Sequence, residues 1–220
     1  MSYVIVGSKG RMGQSIIKIL KQNKISYIEV YRDQGLDLIN PSQAKAVIDF
    51  SSIDFFNEVL DWSTNNSVPF VGGTTGLSKE QFNKLELSAE KIPVLWAPNM
   101  SIGVAFVNKL LKQYKELSDD FDFQITESHH NKKVDKPSGT GILLQETLKG
   151  AVGNQVPEVL SIRGGGIYGV HKILAMSEDE VITLEHQAIN REVFAQGAIK
   201  CAKWLVNQPS GLYNVESMLG

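Results

Sequence analysis

One cysteine, no long apolar run and almost no net charge: each shortage removes a class of protein from consideration. With Cys201 alone among 220 residues, no intramolecular disulfide framework can form, and its setting in IKCAKWL reads as a thiol packed inside a helix. No stretch approaches the roughly 18–20 consecutive apolar residues that a membrane span requires. The opening MSYVIVGSKGRMG has too short an apolar run for a secretory signal, so a cytoplasmic protein without membrane contact is expected. Lys and Arg number 22 against 24 Asp and Glu, a formal charge of -2, which provides no global attraction to nucleic acid. Repeats, low-complexity tracts and Gly/Ser linkers are also missing.

What is present is a change of grammar near residue 100. Before it, short apolar runs (YVIV, SYIEVY, AKAVIDFS, VPFVGGTT, IPVLWAPN) alternate with helical patterns (SIIKILKQN, IDFFNEVLDWSTNN, SKEQFNKLELSAEK). Strands alternating with helices over short connections predict a parallel sheet covered on both faces. After Asn99, a long amphipathic helix over SIGVAFVNKLLKQYKELS precedes four strand-like runs, DFDFQITESHH, PEVLSIRGGG, GVHKILAMSE and EVITLEHQAI. The last three follow one another with only turns between them, which predicts an antiparallel or mixed sheet. A final helix ends at Pro209 and Gly211. The fold class expected is α/β: a Rossmann-type, doubly wound parallel sheet plus a second, α+β domain with a mixed, largely open β-sheet.

Gly7, Gly10 and Gly13 stand at three-residue spacing after the first strand and at the start of the first helix. Such a turn lets the backbone approach a pyrophosphate, and the helix N-terminus adds N–H groups and partial positive charge. A glycine pattern alone is weak, but its place in the first βα turn makes a dinucleotide site the natural reading. Arg11 can reach a cofactor phosphate there. Arg32 and Asp33, at the end of the second strand, stand where the adenosine ribose is read; Arg32 suits a 2′-phosphate and Asp33 a 2′-hydroxyl, so NADPH and NADH both remain open. GGTTG and APNMS lie at the ends of the fourth and fifth strands, where ligands of open α/β sheets gather.

ITESHHNKKVDKPSGTG concentrates two histidines, three lysines and a glycine turn. Adjacent His129 and His130 point to opposite sides of a strand and lack a third ligand at a zinc-like spacing, so no metal is expected. Ser138 reads as a helix cap with Gly139 and Thr140 in the first turn behind it. A carboxylate or phosphate on that helix N-terminus would be held by backbone N–H groups and the Thr140 hydroxyl, with Lys133 and a histidine beside it. Either His129 or Lys133 suits the role of proton donor.

Taken together, GSKGRMG, VIDFS, GGTTG, APNMSIGV, ESHHNKKVDKPSGTG, RGGGIYGVH and INREVFAQGA, in unbroken order, resemble the 4-hydroxy-tetrahydrodipicolinate reductase (dihydrodipicolinate reductase) family of bacterial lysine and diaminopimelate biosynthesis. The resemblance implies a dinucleotide-binding Rossmann domain over 1–100 with 192–220, and a substrate-binding and oligomerisation domain over 101–191 that forms a homotetramer. It implies an NADPH or NADH turn of Gly7, Ser8, Lys9, Gly10, Arg11 and Met12, joined by Gly73, Thr74 and Thr75. Ala97, Pro98, Asn99 and Met100 become the hinge segment beside the nicotinamide. His129 takes the position of catalytic acid and Lys133 that of second proton donor. His130, Gly139 and Thr140 become contacts to a small dicarboxylate substrate. Lys136 and Gly141 replace the alanines usual in the family, and the short link between the second and third strands removes part of the usual adenosine-side surface. A Rossmann dehydrogenase of another keto or imino acid, and a non-catalytic NAD(P)-sensing protein, are the alternative readings.

Overall fold

The computed structural model describes residues 1–31, 35–117, 119–153 and 156–220. They divide into two compact units, Met1–Ser101 with Arg191–Gly220, and Ile102–Asn190. In chain order, unit 1 begins with β1 (Ser2–Val6), α1 (Arg11–Gln22), β2 (Tyr27–Val30), β3 (Ala44–Asp49), α2 (Ile53–Asn65), β4 (Phe70–Gly72), α3 (Lys79–Ala89) and β5 (Pro93–Trp96). Unit 2 holds α4 (Ile102–Leu111), β6 (Asp122–His129), α5 (Gly139–Val152), β7 (Leu160–Arg163), β8 (Val170–Met176) and β9 (Val181–Gln187). The chain then returns to unit 1 with α6 (Glu192–Leu205) and β10 (Gly211–Tyr213).

Unit 1 is a six-stranded, wholly parallel sheet in the order β10-β5-β4-β3-β1-β2. Helices cover both faces, which is why β1 and β3 are continuous apolar runs whose Val4, Ile5, Val6, Ala46, Val47 and Ile48 are fully buried. Phe56 of α2 meets Phe70 of β4 edge to face at 5.8 Å inside one of these layers. Cys201 is buried on α6, and burial pushes its thiol up to about 12, so it is inert packing. The doubly wound reading holds. The sixth strand, β10, was not foreseen, because three residues are too few to show a period. It exists because the free edge of β5 pairs with Gly211, Leu212 and Tyr213.

Unit 2 is a mixed sheet in the order β7-β6-β8-β9 with α4 and α5 on one face. Phe123, Ile125, Ile173 and Ala175 point inward onto Leu111, Leu144 and Leu148. The alternation of buried and more exposed residues along β6 and β8 is the mark of a sheet covered on one side. β7 does not pair with β8 as a meander would. It lies parallel to β6 in the register His129↔Arg163, and α5 supplies the crossover that parallel pairing demands. The helix expected through Ser118 stops at Leu111 and tightens into a 3-10 segment, Lys112–Leu117. Its Tyr114 and Leu117 still pack on the core, so the tighter winding keeps the apolar face in place. Among the described residues, no helix is long and apolar enough to cross a membrane.

The tightest backbone approach in unit 1 is that of α6 at Gly197, where an added Cβ would lie 1.7 Å from the Met100 carbonyl oxygen. G197A is therefore expected to destabilise the protein by about 3 kcal/mol, the upper end of overpacking costs. Denaturant unfolding checks this; an unchanged midpoint would refute it.

Candidate active site

In unit 1 the chain leaves β1 to build β2 on one side and returns to build β3, β4 and β5 on the other. The C-terminal ends of β1 and β3 therefore part at a topological switch point, where open α/β sheets bind their ligands. A cleft of about 310 Å³ lies there, between Gly7, Lys9, Gly10 and Tyr31 on one side and Phe50 and Ser51 on the other. Gly7 has φ +76°, and a Cβ on it would sit 2.4 Å from the Phe50 carbonyl oxygen. Both its left-handed backbone and the closeness of the β3 end demand glycine. A Cβ at Gly13 would lie 2.3 Å from the Gly7 carbonyl oxygen, so α1 can start only because that side chain is absent. Gly10 caps α1 with no side chain, and no acidic residue stands in the first turn. The opening N–H groups of α1 thus form an electropositive end without a side-chain cap. Glycine backbone, helix start and exposed Lys9 and Arg11 together fit the pyrophosphate of a dinucleotide.

The other residues expected at the cofactor belong to the first turn, to the second strand's end and to the segments after β4 and β5. Ser8 is fully buried, and its hydroxyl donates to the Val30 carbonyl at 3.1 Å; it ties the turn to β2 and keeps its side chain away from solvent. Met12 is half-buried in the first turn of α1. Lys9 lies 4.2 Å from the centre of the Tyr31 ring, a cation–π contact. Arg32 and Asp33 lie outside the described residues. Gly73 and buried Thr74 follow β4, Thr75 is exposed, and Ala97 and Met100 are buried beyond β5. Pro98 is exposed, and the Asn99 side chain accepts from the Ser101 amide at 2.8 Å.

One buried carboxyl organises these strand ends. Asp49, with no exposure, accepts from the Thr74 hydroxyl at 2.9 Å and from the Ser51 amide at 3.0 Å, while its carbonyl accepts from the Gly73 amide at 2.9 Å. Burial pushes its pKa up, and the Ser51 and Thr74 hydrogen bonds offset only part of that rise.

In unit 2 the site is built from the end of β6. His129 is its last residue, only 7% exposed, and Glu127, two positions earlier, points to the same face. The His129 ring hydrogen-bonds through Nδ1 to Glu127 Oε2. Glu127 Oε1 accepts from Arg163 Nη2 at 2.7 Å and faces the Ser138 amide at 3.4 Å. The Ser138 hydroxyl caps α5 by accepting from the Gly141 amide at 3.1 Å and lies 3.4 Å from His171 Nε2. The rings of His129 and His171 meet edge to face at 5.2 Å. Beyond the strand, the His130 carbonyl accepts from the Lys133 amide at 3.1 Å. Lys133 Nζ pairs with Asp135 at 2.9 Å, and Arg163 Nη2 also donates to the Asp135 carbonyl at 2.5 Å. Thr140 is buried in the first turn of α5, while Gly139 faces open space. His129, His130, Lys133, Gly139 and Thr140 therefore lie within one strand end, one loop and one helix start.

The electrostatics follow from that packing. Burial alone would raise the Glu127 carboxyl, but hydrogen bonds from Arg163 and His129 outweigh it and hold the group at about 2. Burial pulls His129 down, against the upward pull of Glu127 and with help from the Lys133 and Arg163 cations. His171 is pushed down to about 4, chiefly by burial and then by His129. Glu127, His129 and His171 bring potential ligand atoms within 4.8 Å of one another. Arg163 already occupies one oxygen of Glu127 and His129 the other, so the group is a hydrogen-bonded network that a metal ion would have to dismantle.

Glu127, Arg163, His171 and Asp49 were not singled out from sequence. For Glu127 a usable sign exists, since E-x-H in a strand puts both side chains on one face. Asp49 also shows as a lone acid ending an apolar parallel strand. Arg163 and His171 are legible only once β7 and β8 are seen to flank β6.

Comparison with known proteins gives the family. The model of the dihydrodipicolinate reductase N-terminus matches residues 1–100, and that of the dihydrodipicolinate reductase C-terminus matches residues 103–219. The 4-hydroxy-tetrahydrodipicolinate reductase of Bdellovibrio bacteriovorus is 47% identical over 218 residues, covering 98% of this chain and 94% of the relative. That of Campylobacter lari is 38% identical over 238 residues, covering 98% of each. Among solved structures, the dipicolinate-bound dihydrodipicolinate reductase from Paenisporosarcina sp. TG-14 shares the fold with a TM-score of 0.82 at 22% identity, over 99% of both chains.

The buried histidine makes stability pH-dependent. His171 refuses a proton in the fold down to about 4, whereas the unfolded chain takes one near 6.5. Its contribution is therefore complete above 6.5 and lost as pH falls towards 4, on the order of 3 kcal/mol. Glu127 loses its own contribution only below its ordinary 4.5. H171N is expected to flatten the difference between urea midpoints measured at about pH 7 and about pH 4.5; an equally steep pH dependence in the variant would contradict this assignment.

Proposed function

We propose that this chain, which belongs to the dihydrodipicolinate reductase family, reduces 4-hydroxy-tetrahydrodipicolinate to tetrahydrodipicolinate with NADH or NADPH in lysine and diaminopimelate biosynthesis. The observation that carries this reading is the convergence of His129, Lys133 and the start of α5 around one patch of unit 2. A doubly negative cyclic imine needs that combination: cations and helix N–H groups for its carboxylates, and an acid for the carbon that gains electrons.

The division of labour proposed follows from the two sets of residues. Unit 1 seats the nucleotide: Gly7 and Gly10 admit its phosphates to the start of α1, Lys9 and Arg11 add charge, and the ends of β4 and β5, Gly73 to Thr75 and Ala97 to Met100, flank the nicotinamide. When bound, the reduced nicotinamide supplies a hydride. In unit 2, Lys133, His130 and the Gly139–Thr140 amides hold the carboxylates. Lys133 is pre-engaged with Asp135, but Asp135 is 55% exposed, and an exposed pair of this kind is worth at most about 1 kcal/mol. A substrate carboxylate can displace it at little cost. His129 or Lys133 delivers the proton, and positioning by fixed charges supplies much of the rate.

Unit 2 also carries the assembly proposed for the chain. The face of its sheet away from α4 and α5 exposes Leu160, Ile162 and Val181, each more than half accessible, beside Leu174 and Met176 of β8. Burying them against further copies would form the homotetramer that the resemblance implies. A biosynthetic reductase drawing on this cofactor belongs in the cytoplasm, where we place it.

The direct test follows loss of reduced-nicotinamide absorbance that depends on the condensation product of aspartate semialdehyde and pyruvate. H129Q and K133A are each expected to lower kcat by at least about 100-fold while nucleotide affinity by calorimetry stays unchanged. No oxidation by the folded protein would sink the assignment. For the assembly, light scattering is expected to give the mass of four chains, and I162E a smaller species; a wild-type monomer would rule the tetramer out.

A further inference from the structure

Glu127 is fixed by donors from three elements. His129 Nδ1 reaches it along β6, the Arg163 guanidinium reaches it from β7 at 2.7 Å, and the Ser138 amide faces it from the start of α5 at 3.4 Å. Arg163 is itself held, donating to the carbonyls of Ile162 at 2.7 Å and Asp135 at 2.5 Å. Neither Glu127 nor Arg163 is needed to explain the contacts proposed for the substrate, yet Glu127 has no exposure at all and the Arg163 side chain only 6%. Burying such a pair stabilises a fold little or not at all compared with apolar residues of the same shape. Its presence asks for another explanation.

An ionised carboxylate only accepts hydrogen bonds, so the ring nitrogen against it must carry a proton. With Nδ1–H committed to Glu127, the remaining nitrogen of His129 is the one free to gain and lose a proton. We propose that Glu127, locked by Arg163 and the start of α5, is the positioning residue that sets the tautomer of His129 and makes Nε2 its proton-exchanging atom. This rests on His129 being the proton donor of the proposed reduction. The step balances: the 4-hydroxyl leaves as water to give an unsaturated ring, and the hydride then brings two electrons and forms the new C–H bond as the nicotinamide is oxidised. The Nε2–H bond breaks and its proton goes to the developing electron pair, leaving a neutral imidazole still bonded to Glu127. Water then restores the proton.

The groups facing His129 are Glu127 on its own strand, Arg163 from β7, His171 from β8 and Lys133 from the following loop. Only Glu127 favours the imidazolium; the two cations oppose it. A bound dicarboxylate that neutralises Lys133 tips this balance towards the protonated, donating form.

E127Q has a specific expected consequence. Arg163 Nη2 and the Ser138 amide both demand an acceptor at the Oε1 position, so the glutamine carbonyl takes that place and its NH2 group turns to His129. Nδ1 must then accept, and the ring proton moves to Nε2. With only four histidines in the chain, long-range proton–nitrogen NMR of histidine-labelled protein reads this directly, the His129 signals being assigned by their loss in H129Q. Wild type at about pH 8 is expected to show the Nδ1–H tautomer and E127Q the Nε2–H tautomer. In E127Q, kcat should fall by at least about 100-fold with KM nearly unchanged; E127D should keep the wild-type tautomer and recover at least about tenfold of the lost rate. A wild-type ring in the Nε2–H form, or an E127Q protein with the wild-type tautomer or undiminished kcat, overturns the proposal. If E127Q does not fold, the tautomers of wild type and E127D decide. If the protein turns over no dipicolinate precursor, the tautomer measurements still test the positioning role, so that failure is separable from this one.

Discussion

The pairing of Glu127 with Arg163, His129 and the Ser138 amide is the constraint on which unit 2 turns, since it joins the ends of two strands to the beginning of a helix. A carboxylate without exposure survives only where donors surround it; removing one partner from such a group costs about 3–5 kcal/mol. The crossover through α5 is what makes this possible. By placing β7 parallel to β6, it sets Arg163 opposite His129 in the register, and by starting α5 at Ser138 it presents the helix N-terminus to the same carboxylate. The residues proposed to bind and protonate a dicarboxylate are thus arranged by backbone topology first and by side-chain chemistry second.

Unit 1 uses the same device. Asp49 at the end of β3 is also fully buried and also gathers separate strand ends, through Thr74, Ser51 and the Gly73 amide. The two carboxyls differ in what surrounds them. Among the described residues no cation offsets the burial of Asp49, and its pKa rises; Glu127 has a guanidinium and an imidazole against it, and its pKa falls. One is suited to hold a loop by hydrogen bonds, the other to stand as a negative charge beside a titrating ring.

Small residues complete the frame. Gly7 and Gly13 let the first turn lie against the end of β3 and let α1 begin directly above it, and Gly197 lets α6 rest on the Met100 carbonyl. None of these contributes chemistry. Each removes a Cβ from a place where backbone must meet backbone, and a sheet with helices on both faces leaves few alternatives at such points.

Much of this could be read along the chain. Apolar runs alternating with amphipathic stretches determined the parallel, doubly wound unit, and the E-S-H-H to P-S-G-T-G segment located the cluster of His129, Lys133, Gly139 and Thr140, because periodicity, turn chemistry and capping act over a few neighbouring residues. Tertiary structure alone decided the rest. β10 has three residues and exists only because β5 had a free edge; Arg163 and His171 became partners of Glu127 and His129 through strand register. Ser8, which sits in the glycine turn, was drawn inward to the Val30 carbonyl. Local forces are written in adjacent letters, whereas register and edge pairing depend on segments far apart in the chain, so which side chains finally share a buried carboxylate is settled only when the sheets form.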